Sequence, residues 1–275
     1  MNQQEKEFSP KEYWDTRLQH HFDLTGVGFR RKSVAFNRWV YRTRSEVLDR
    51  ILKENGWQAE NRTVLDVGAG TGYFIDYWLA RKADPVMGID IAEISIEKLR
   101  ETFPKCEFRL VDLGDPNVNL DQKFDYVSVF DVLFHIVDDQ RFENAARNLA
   151  ALCNPGAIVF ITDIFGPKTI ASVKHCRNRS LDQYNSVFSQ AEFKTVDVVP
   201  LFYTLLPPAR FSNAILRWGG ILGWELITFV TRWSWCGSIM GRLLFSIDKG
   251  LRRVFKKGPG GHLAVFRYSP ANPTE

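Results

Sequence analysis

Apolar residues recur at two different spacings along the chain, and the change of spacing divides it into parts. After Ser33 they lie three and four positions apart as far as Gly56, which predicts a helix that ends at this glycine. Residues 11–22 also have a helical pattern, so we expect an N-terminal helical segment over residues 1–58. From residue 59 onward, short apolar runs alternate with amphipathic segments, which is typical of βαβ units and a parallel sheet.

Seven apolar runs are predicted as strands of one α/β sheet. The first five alternate with helices and predict a doubly wound, Rossmann-like sheet, because βαβ crossovers are right-handed. Asn154-Pro155-Gly156 is predicted as the turn before the fifth strand. Ser180 and Gln183 form a predicted capping box that begins a later helix. The predicted strands are residues 62–67, 85–90, 106–112, 124–131, 157–163, 193–204 and 262–269.

The segment 205–261 lies between the last two predicted strands, so the core of the fold is predicted to comprise residues 59–204 and 262–275. This insertion is rich in Trp, Phe, Leu and Ile, and its charges recur at close to a helical repeat, which predicts helices with a wide apolar face. We expect glycines to break it into short helices. The glycines concerned are Gly219, Gly220, Gly237 and Gly241.

Three roles stay open for the insertion. It can cap an acceptor pocket, lie at a membrane surface through its apolar face and cationic edge, or form a homodimer interface. A membrane-spanning helix is not predicted, because the insertion has no charge-free run of about twenty residues.

Composition narrows the class of protein. The 275 residues are 45% hydrophobic and 25% charged, which is typical of a globular protein. A net charge of +4 is too small to argue for a nucleic-acid partner. Four scattered cysteines predict reduced thiols in the cytoplasm, with neither a zinc site nor a disulfide framework. The polar N-terminus lacks the apolar core of a secretory signal.

The stretch VLDVGAGTGYF, residues 64–74, predicts a strand, a glycine turn and a helix, which together bind anions or nucleotides. No lysine follows the glycines, so the turn is not an NTP-binding P-loop. Asp66 would repel the pyrophosphate of a dinucleotide. A carboxylate there suits a ligand with an ammonium group and a positive sulfur, namely S-adenosylmethionine.

Two further acids end the next strands. Asp90 can accept hydrogen bonds from both ribose hydroxyls. Asp112 can accept from the adenine amino group, with Ile91 and Leu113 as apolar walls. Three acids at the ends of three successive strands are stronger evidence for a cofactor site than one glycine turn.

These stretches, with FDYVSVFDVLFHI and NPGAIVFITD after them, resemble the class I S-adenosylmethionine-dependent methyltransferases of the small-molecule type 11/12 kind. The resemblance implies a seven-stranded sheet whose last strand is antiparallel, formed here by residues 193–204 and 262–269 as strands six and seven. It also implies cofactor contacts in the turn, at the end of the fourth strand and from an N-terminal aromatic pair. The residues concerned are Gly68, Ala69, Gly70, Gly72, Phe130, Asp131, Tyr13 and Trp14.

Methyl transfer from a sulfonium is an in-line displacement, so positioning matters most and a base is needed only for some acceptors. His135 follows the fourth strand and is the candidate base, with a wall residue as the alternative. Asp163 is predicted either to orient a substrate hydroxyl or to cap the next segment. His175, Arg177 and Arg179 can reach the acceptor, or form a solvated basic loop.

The helix after Ser33 is basic, and Arg38 and Arg42 share a face. One of its arginines can bind the cofactor's carboxylate or an anionic substrate, or the arginines can form a solvated face. The function predicted from the resemblance is methylation of a small molecule at a hydroxyl, such as a sugar or secondary metabolite. Alternatives are a lipid-linked acceptor, RNA, and a non-catalytic cofactor-binding subunit.

Overall fold

A computed structural model describes residues 8–166, 168–173, 175–207 and 213–271. Its central sheet has seven strands, which are β1 Val64–Val67, β2 Val86–Asp90, β3 Glu107–Leu110, β4 Phe124–Phe130, β5 Cys153–Asp163, β8 Phe193–Pro200 and β9 His262–Tyr268. They lie in the order β3-β2-β1-β4-β5-β9-β8. All neighbours among the first five in this order pair in parallel, whereas β9 runs antiparallel to both β5 and β8.

This topology confirms the predicted doubly wound sheet with an antiparallel last strand. One local prediction is wrong: Asn154-Pro155-Gly156 lies inside β5 rather than before it. The register shifts there, because Phe124 pairs with Cys153 but Tyr126 pairs with Ile158. The extra residues therefore form a bulge in which Gly156 takes a φ of +84°.

Helices cover both faces of the sheet. On one face, Leu48 and Ile51 of α2 and Trp78 of α3 are buried in one core cluster. On the other face, Phe142 of α5 and Phe188 of α6 are buried in a second cluster. The helices of this part are α1 Pro10–His20, α2 Val34–Glu54, α3 Tyr73–Leu79, α4 Glu93–Thr102, α5 Asp139–Ala151 and α6 Leu181–Gln190.

A small antiparallel hairpin was not predicted. It consists of β6 Ile170–Val173 and β7 Cys176–Asn178, in the stretch for which a solvated basic loop was one of two alternatives. After it, Ser180 caps α6 by accepting from Gln183 N at 3.2 Å. The capping box is half formed, since Ser180 N donates to Thr169 Oγ1 and the Gln183 side chain bonds Thr169 instead.

The insertion folds as two helices, α7 Ala214–Thr228 and α8 Ser234–Val254, joined by a 3₁₀ turn at Phe229–Arg232. The predicted breaks at glycines are wrong, because all four of those glycines lie within helices. Two of them bring α8 close to α2. A Cβ on Gly237 would overlap Ser33 Oγ, and one on Gly241 would lie 2.5 Å from Trp39 Cδ1.

Across the described residues, none of the helices combines the length and the apolar character that crossing a membrane requires.

Candidate active site

The carboxyl ends of β1 to β4 open into a cavity of about 540 Å³. Its walls include most of the predicted cofactor residues and the candidate base. The residues that both the sequence and the structure assign to the cavity are Trp14, Asp66, Gly68, Ala69, Gly70, Asp90, Ile91, Asp112, Leu113, Phe130, Asp131 and His135. The predicted site residues outside its lining are Tyr13, Gly72, Asp163, His175 and Arg179.

The glycine turn has a left-handed backbone at each of its three glycines. Gly68 has φ +71°, and a Cβ there would overlap Val132 Cγ2. Gly70 has φ +53°, with Val27 Cγ1 2.9 Å from its Cβ position. Both lie in the cavity wall, where a side chain would be strained and would obstruct close packing.

Gly72 has a different role from the predicted one. It caps α3 with φ +83°, and a Cβ would lie 2.6 Å from Phe103 Cε2 and 2.7 Å from Leu99 Cδ2. The absence of a side chain therefore allows α3 to begin against α4, and the residue packs beneath the turn rather than lining the cavity.

Asp90 holds the turn in place from the end of β2. Its Oδ2 accepts from Gly70 N and its Oδ1 from Ala92 N, each at 2.8 Å. Ser95 Oγ donates to Gly70 O at 2.7 Å. A carboxylate has about four acceptor positions, and Asp90 lines the cavity, so it can accept further hydrogen bonds from a ligand there.

Asp66 is buried at the end of β1, where Ser128 Oγ donates to its Oδ1 at 2.6 Å. Trp78 Nε1 donates in turn to Ser128 Oγ at 3.1 Å, which fixes the hydroxyl. Burial raises the pKa of Asp66 to about 7, against the opposing effect of the Ser128 hydrogen bond. This carboxyl consequently changes charge near neutral pH and favours a cationic neighbour.

Asp112 is engaged by a residue that the sequence reasoning missed. Arg141 Nη2 donates to its Oδ2 at 2.6 Å, and Gly114 N donates to its Oδ1 at 2.9 Å. Arg141 lies in the first turn of α5 and lines the same cavity. The ion pair orients Asp112, yet nothing in the local sequence pattern relates two residues so far apart.

Asp131 has a left-handed φ of +60° at the end of β4. Its Oδ2 accepts from Arg44 Nη2, and Thr162 Oγ1 donates to its Oδ1 at 2.8 Å. Arg44 is only 6% exposed, so of the two alternatives for this helix the solvated face does not hold at that position. Within the described residues, Arg44 Nε and Nη1 have no hydrogen-bond partner.

His135 ends a 3₁₀ turn, Leu133–His135, in the cavity wall. Its Nδ1 lies 3.0 Å from the carbonyl oxygen of His175, so Nδ1–H donates and Nε2 is left as the acceptor of the ring. Burial lowers the pKa of His135 to about 4, with smaller opposing contributions from the His175 carbonyl and Asp131. The imidazole is therefore neutral at physiological pH.

Helix α1 places the predicted aromatic pair beside this histidine. Trp14 lines the cavity and meets the His135 ring edge to face at 5.0 Å. Tyr13 stacks on the His175 ring at 5.0 Å, and its hydroxyl accepts from Arg17 Nη1 at 2.9 Å. Only one member of the pair reaches the cavity, while the other supports the hairpin residue that orients His135.

The predicted substrate residues near the hairpin are placed differently from the expectation. Arg179 is 0% exposed, and its guanidinium donates to the carbonyls of Ile136 and Asp138 and to Asp139 Oδ1. Arg177 also pairs with Asp139, at 2.8 Å. These arginines hold the segment after His135 and do not form a solvated loop.

Asp163 is buried at the end of β5 and accepts from the Tyr184 hydroxyl and from Ile164 N. Burial raises its pKa to about 7. Its hydrogen bonds lie within the core, so the structure favours the capping alternative over contact with a substrate hydroxyl.

The strand order, the antiparallel last strand and the carboxylates around the glycine turn define a class I S-adenosylmethionine-dependent methyltransferase fold. A family model described as "Methyltransferase domain" matches residues 36–197, more than half of the chain, and the chain belongs to that family.

The curated relatives that the chain matches include O-methyltransferases. The chain is 32% identical to the ubiquinone biosynthesis O-methyltransferase of Hydrogenovibrio crunogenus, over 38% of this chain and 44% of that protein. It is 26% identical to the O-methyltransferase cnsE of Penicillium expansum, over 67% of this chain and 72% of that protein. The chain spans less than half of the length of two of the curated relatives that it matches.

A solved structure shows the same fold. The chain superposes on the Burkholderia thailandensis 1,6-didemethyltoxoflavin-N1-methyltransferase, solved with 1,6-didemethyltoxoflavin and S-adenosylhomocysteine bound, with a TM-score of 0.53. The identity is 13%, and the match covers 96% of this chain and 92% of that chain. At this identity the likeness concerns the fold and not the acceptor.

The donor set of the cavity fits the cofactor of this class. Asp66 supplies a buried carboxylate for an ammonium group, Asp90 has acceptor positions for hydroxyls, and Leu113 supplies an apolar wall. Among the described residues, no group of three or more His, Cys, Asp or Glu side chains is placed to hold a metal ion.

Proposed function

We propose that the protein transfers the methyl group of S-adenosylmethionine to a hydroxyl of a small molecule. The observation that carries this proposal is the neutral His135 in the wall of the cofactor cavity. Its Nδ1 is hydrogen-bonded to the His175 carbonyl, which leaves Nε2 as the proton acceptor. When bound, the cofactor supplies an electrophilic methyl group on a positive sulfur. The chain then has to hold the acceptor oxygen in line and remove its proton.

His135 is suited to accept that proton. The His175 carbonyl fixes the tautomer, because it accepts from Nδ1–H and leaves the lone pair on Nε2. The low pKa keeps the ring unprotonated throughout the physiological range, but it also makes the imidazole a weak base, so the imidazolium that forms has to be stabilised by its surroundings. The nearby Asp131 carboxylate favours the imidazolium that forms after proton transfer.

Small-molecule acceptors are supported by the enclosure of the cavity. Trp14 of α1 and Tyr41 of α2 lie in its walls, so the N-terminal helices cover the carboxyl edge of the sheet. Curated relatives with oxygen specificity support a hydroxyl acceptor. A sugar or secondary metabolite remains the proposed acceptor class.

The test uses isotope-labelled S-adenosylmethionine with a panel of phenols, glycosides and primary amines. We expect labelled ethers from the hydroxyl compounds, and His135→Ala should lower turnover by about 10²–10⁴-fold, the usual contribution of a general base. Calorimetric titration should give the same cofactor affinity for the variant as for the wild type.

Two outcomes would overturn the proposal. Label found only in amines would remove the hydroxyl acceptor, and unchanged turnover of His135→Ala would leave the histidine as a wall residue. His20→Ala is the matched control, since His20 ends α1 and is exposed. Its turnover should equal that of the wild type.

A further inference from the structure

The two helices of the insertion expose an unusual amount of apolar surface. Of the eighteen exposed large hydrophobic residues in the described chain, fifteen lie between residues 215 and 255. We call the following residues the insertion's apolar face: Ile215, Leu216, Trp218, Leu222, Leu226, Ile227, Phe229, Val230, Trp233, Trp235, Ile239, Leu243 and Ile247. Contiguous exposed apolar surface on a globular protein marks an interaction site.

The pattern in α8 is that of a helix with two apolar sides. Trp235, Ile239 and Leu243 recur every four positions and are exposed, with Trp235 71% exposed. Gly241 and Leu244 lie on the side that packs against α2 and are buried. The folded chain thus uses one side of α8 and leaves the other without a partner among the described residues.

The insertion carries an excess of positive charge. Residues 213–261 contain eight Lys and Arg and two acids, a net charge of +6, so the rest of the chain is net negative against the total of +4. Two of the basic residues, Lys249 and Arg252, pair with Glu46 of α2, and both acids of the insertion are paired as well. Glu225 pairs with Lys32 at 3.0 Å, and Asp248 is buried against Thr204.

An open basic basin adjoins the apolar face at the turn between the helices. It is lined by Arg30, Arg31, Lys32 and Arg232. Arg232 lies over the Phe229 ring at 4.4 Å, and the rings of Phe229 and Trp233 are 5.9 Å apart. Guanidinium groups beside exposed aromatic rings are placed to bind phosphate while the rings enter an apolar layer.

We propose that the insertion's apolar face attaches the protein to a membrane surface that carries anionic phospholipids. Tryptophan, aliphatic side chains and a cationic edge are the combination by which amphipathic helices lie in the membrane interface. The basin would bind lipid phosphate, and the other basic residues would lie near the headgroups. This inference does not depend on the acceptor proposed above.

Charge decides against a second copy as the occupant. A two-fold dimer brings the same patch of both subunits together, so the basic residues of each copy would meet those of the other. The insertion has no free acid to pair with them, since Glu225 and Asp248 are engaged within the chain. An anionic bilayer supplies the missing negative charge.

Co-sedimentation with vesicles tests the inference. Wild-type protein should sediment with vesicles of equal parts phosphatidylcholine and phosphatidylglycerol, and much less with phosphatidylcholine alone. The double variant Trp235→Glu/Ile239→Glu should lose about tenfold or more in partitioning. Arg232→Glu/Arg253→Glu should lose binding only to the anionic vesicles.

Matched controls separate the surface from general effects of the substitutions. Val196→Glu/Leu110→Glu places two acids at exposed apolar positions outside the insertion, and Arg62→Glu/Arg147→Glu makes the same change of net charge elsewhere. Both should bind vesicles like the wild type. Thermal melting of all variants verifies that each is folded.

Three results would overturn the inference. Wild-type protein could remain in the supernatant with anionic vesicles at low salt. The control variants could lose binding as strongly as the insertion variants. Sedimentation velocity could reveal a lipid-free dimer that Trp235→Glu/Ile239→Glu dissociates, which would assign the apolar face to a second copy.

Discussion

Glycine has two unlike functions in the turn after β1 and in helix α8. In the turn, Gly68 and Gly70 adopt positive φ values that other residues rarely take, and they form part of the cavity wall. In α8, Gly237 and Gly241 have ordinary helical backbones, and what matters is the space that they leave for Ser33 and Trp39 of the α2 region.

The difference shows which information is local in the sequence. A strand, an acid and glycines at every second position form one motif within a dozen residues, so its function as a cofactor-binding turn can be inferred from the sequence alone. The partner of Gly237 lies about two hundred residues earlier in the chain. Its role depends on how two distant helices cross. The local sequence pattern, in which glycine is a helix breaker, therefore predicted a helix break at Gly237 that does not occur.

Removal of the Asp90 carboxylate should have the largest effect on the turn. Asp90→Ala deletes the acceptor of Gly70 N and the acceptor positions that face the cavity. Charge-assisted hydrogen bonds contribute about 1.5–3 kcal/mol, so the affinity for S-adenosylmethionine should fall by about 10–150-fold. Isothermal titration calorimetry measures this.

Glu101→Ala is the control for that change, because Glu101 is an exposed acid in α4 outside the cavity. Its affinity should match the wild type. Unchanged affinity of Asp90→Ala would contradict the assignment of the turn as the cofactor site.

Two glycines of one helix should respond to alanine with opposite signs. A Cβ on Gly237 overlaps Ser33 Oγ and lies 3.0 Å from Thr231 O, so Gly237→Ala should lower the free energy of unfolding by about 1–3 kcal/mol. Gly250 has nothing within 4 Å of its Cβ position. Gly250→Ala should raise the free energy of unfolding by about 0.5–1 kcal/mol.

Urea denaturation of both variants supplies the measurement. If both substitutions changed the free energy of unfolding in the same direction, α8 would not cross α2 closely at Gly237. The contrast between the turn glycines and the packing glycines would then fail.

The last prediction is a pH dependence of cofactor affinity. The pKa of Asp66 is raised to about 7 in the unliganded protein, so the carboxyl becomes neutral as the pH falls below that value. A neutral acid cannot pair with an ammonium group, and affinity should weaken by up to about tenfold per pH unit below pH 7. Above pH 7 the carboxylate is already ionised, and affinity should be level.

Titrations between pH 5 and 8 check this, with Asp66→Asn as the comparison. The variant should bind weakly and without the slope, because the amide does not titrate. A slope that persists in Asp66→Asn would assign the pH dependence to another group.

Much of the fold could be predicted because alternating apolar runs and strand-end acids are local signals. The alternation of strands and helices and the lining residues Asp66, Asp90 and Asp112 follow from such patterns, whereas the antiparallel last strand was implied by the resemblance to the methyltransferases. The arginine partners of the acids could not be predicted, since Arg141 approaches Asp112 and Arg44 approaches Asp131 only after the chain has folded. Arg179 was misassigned for a related reason: basic side chains look alike in sequence whether they face solvent or bind buried carbonyls.

Helix α2 is shared by the two regions, and this sharing has a mechanical consequence. Trp39 receives α8, Tyr41 lines the cavity, and Arg44 holds Asp131 at its edge. Arg252 of α8 also pairs with Glu46 of α2 at 2.8 Å. Because a helix moves largely as a rigid rod, a force applied to α7 and α8 is transmitted through α2 to the cavity. Attachment of α7 and α8 to a surface would therefore act on the wall of the cavity through α2.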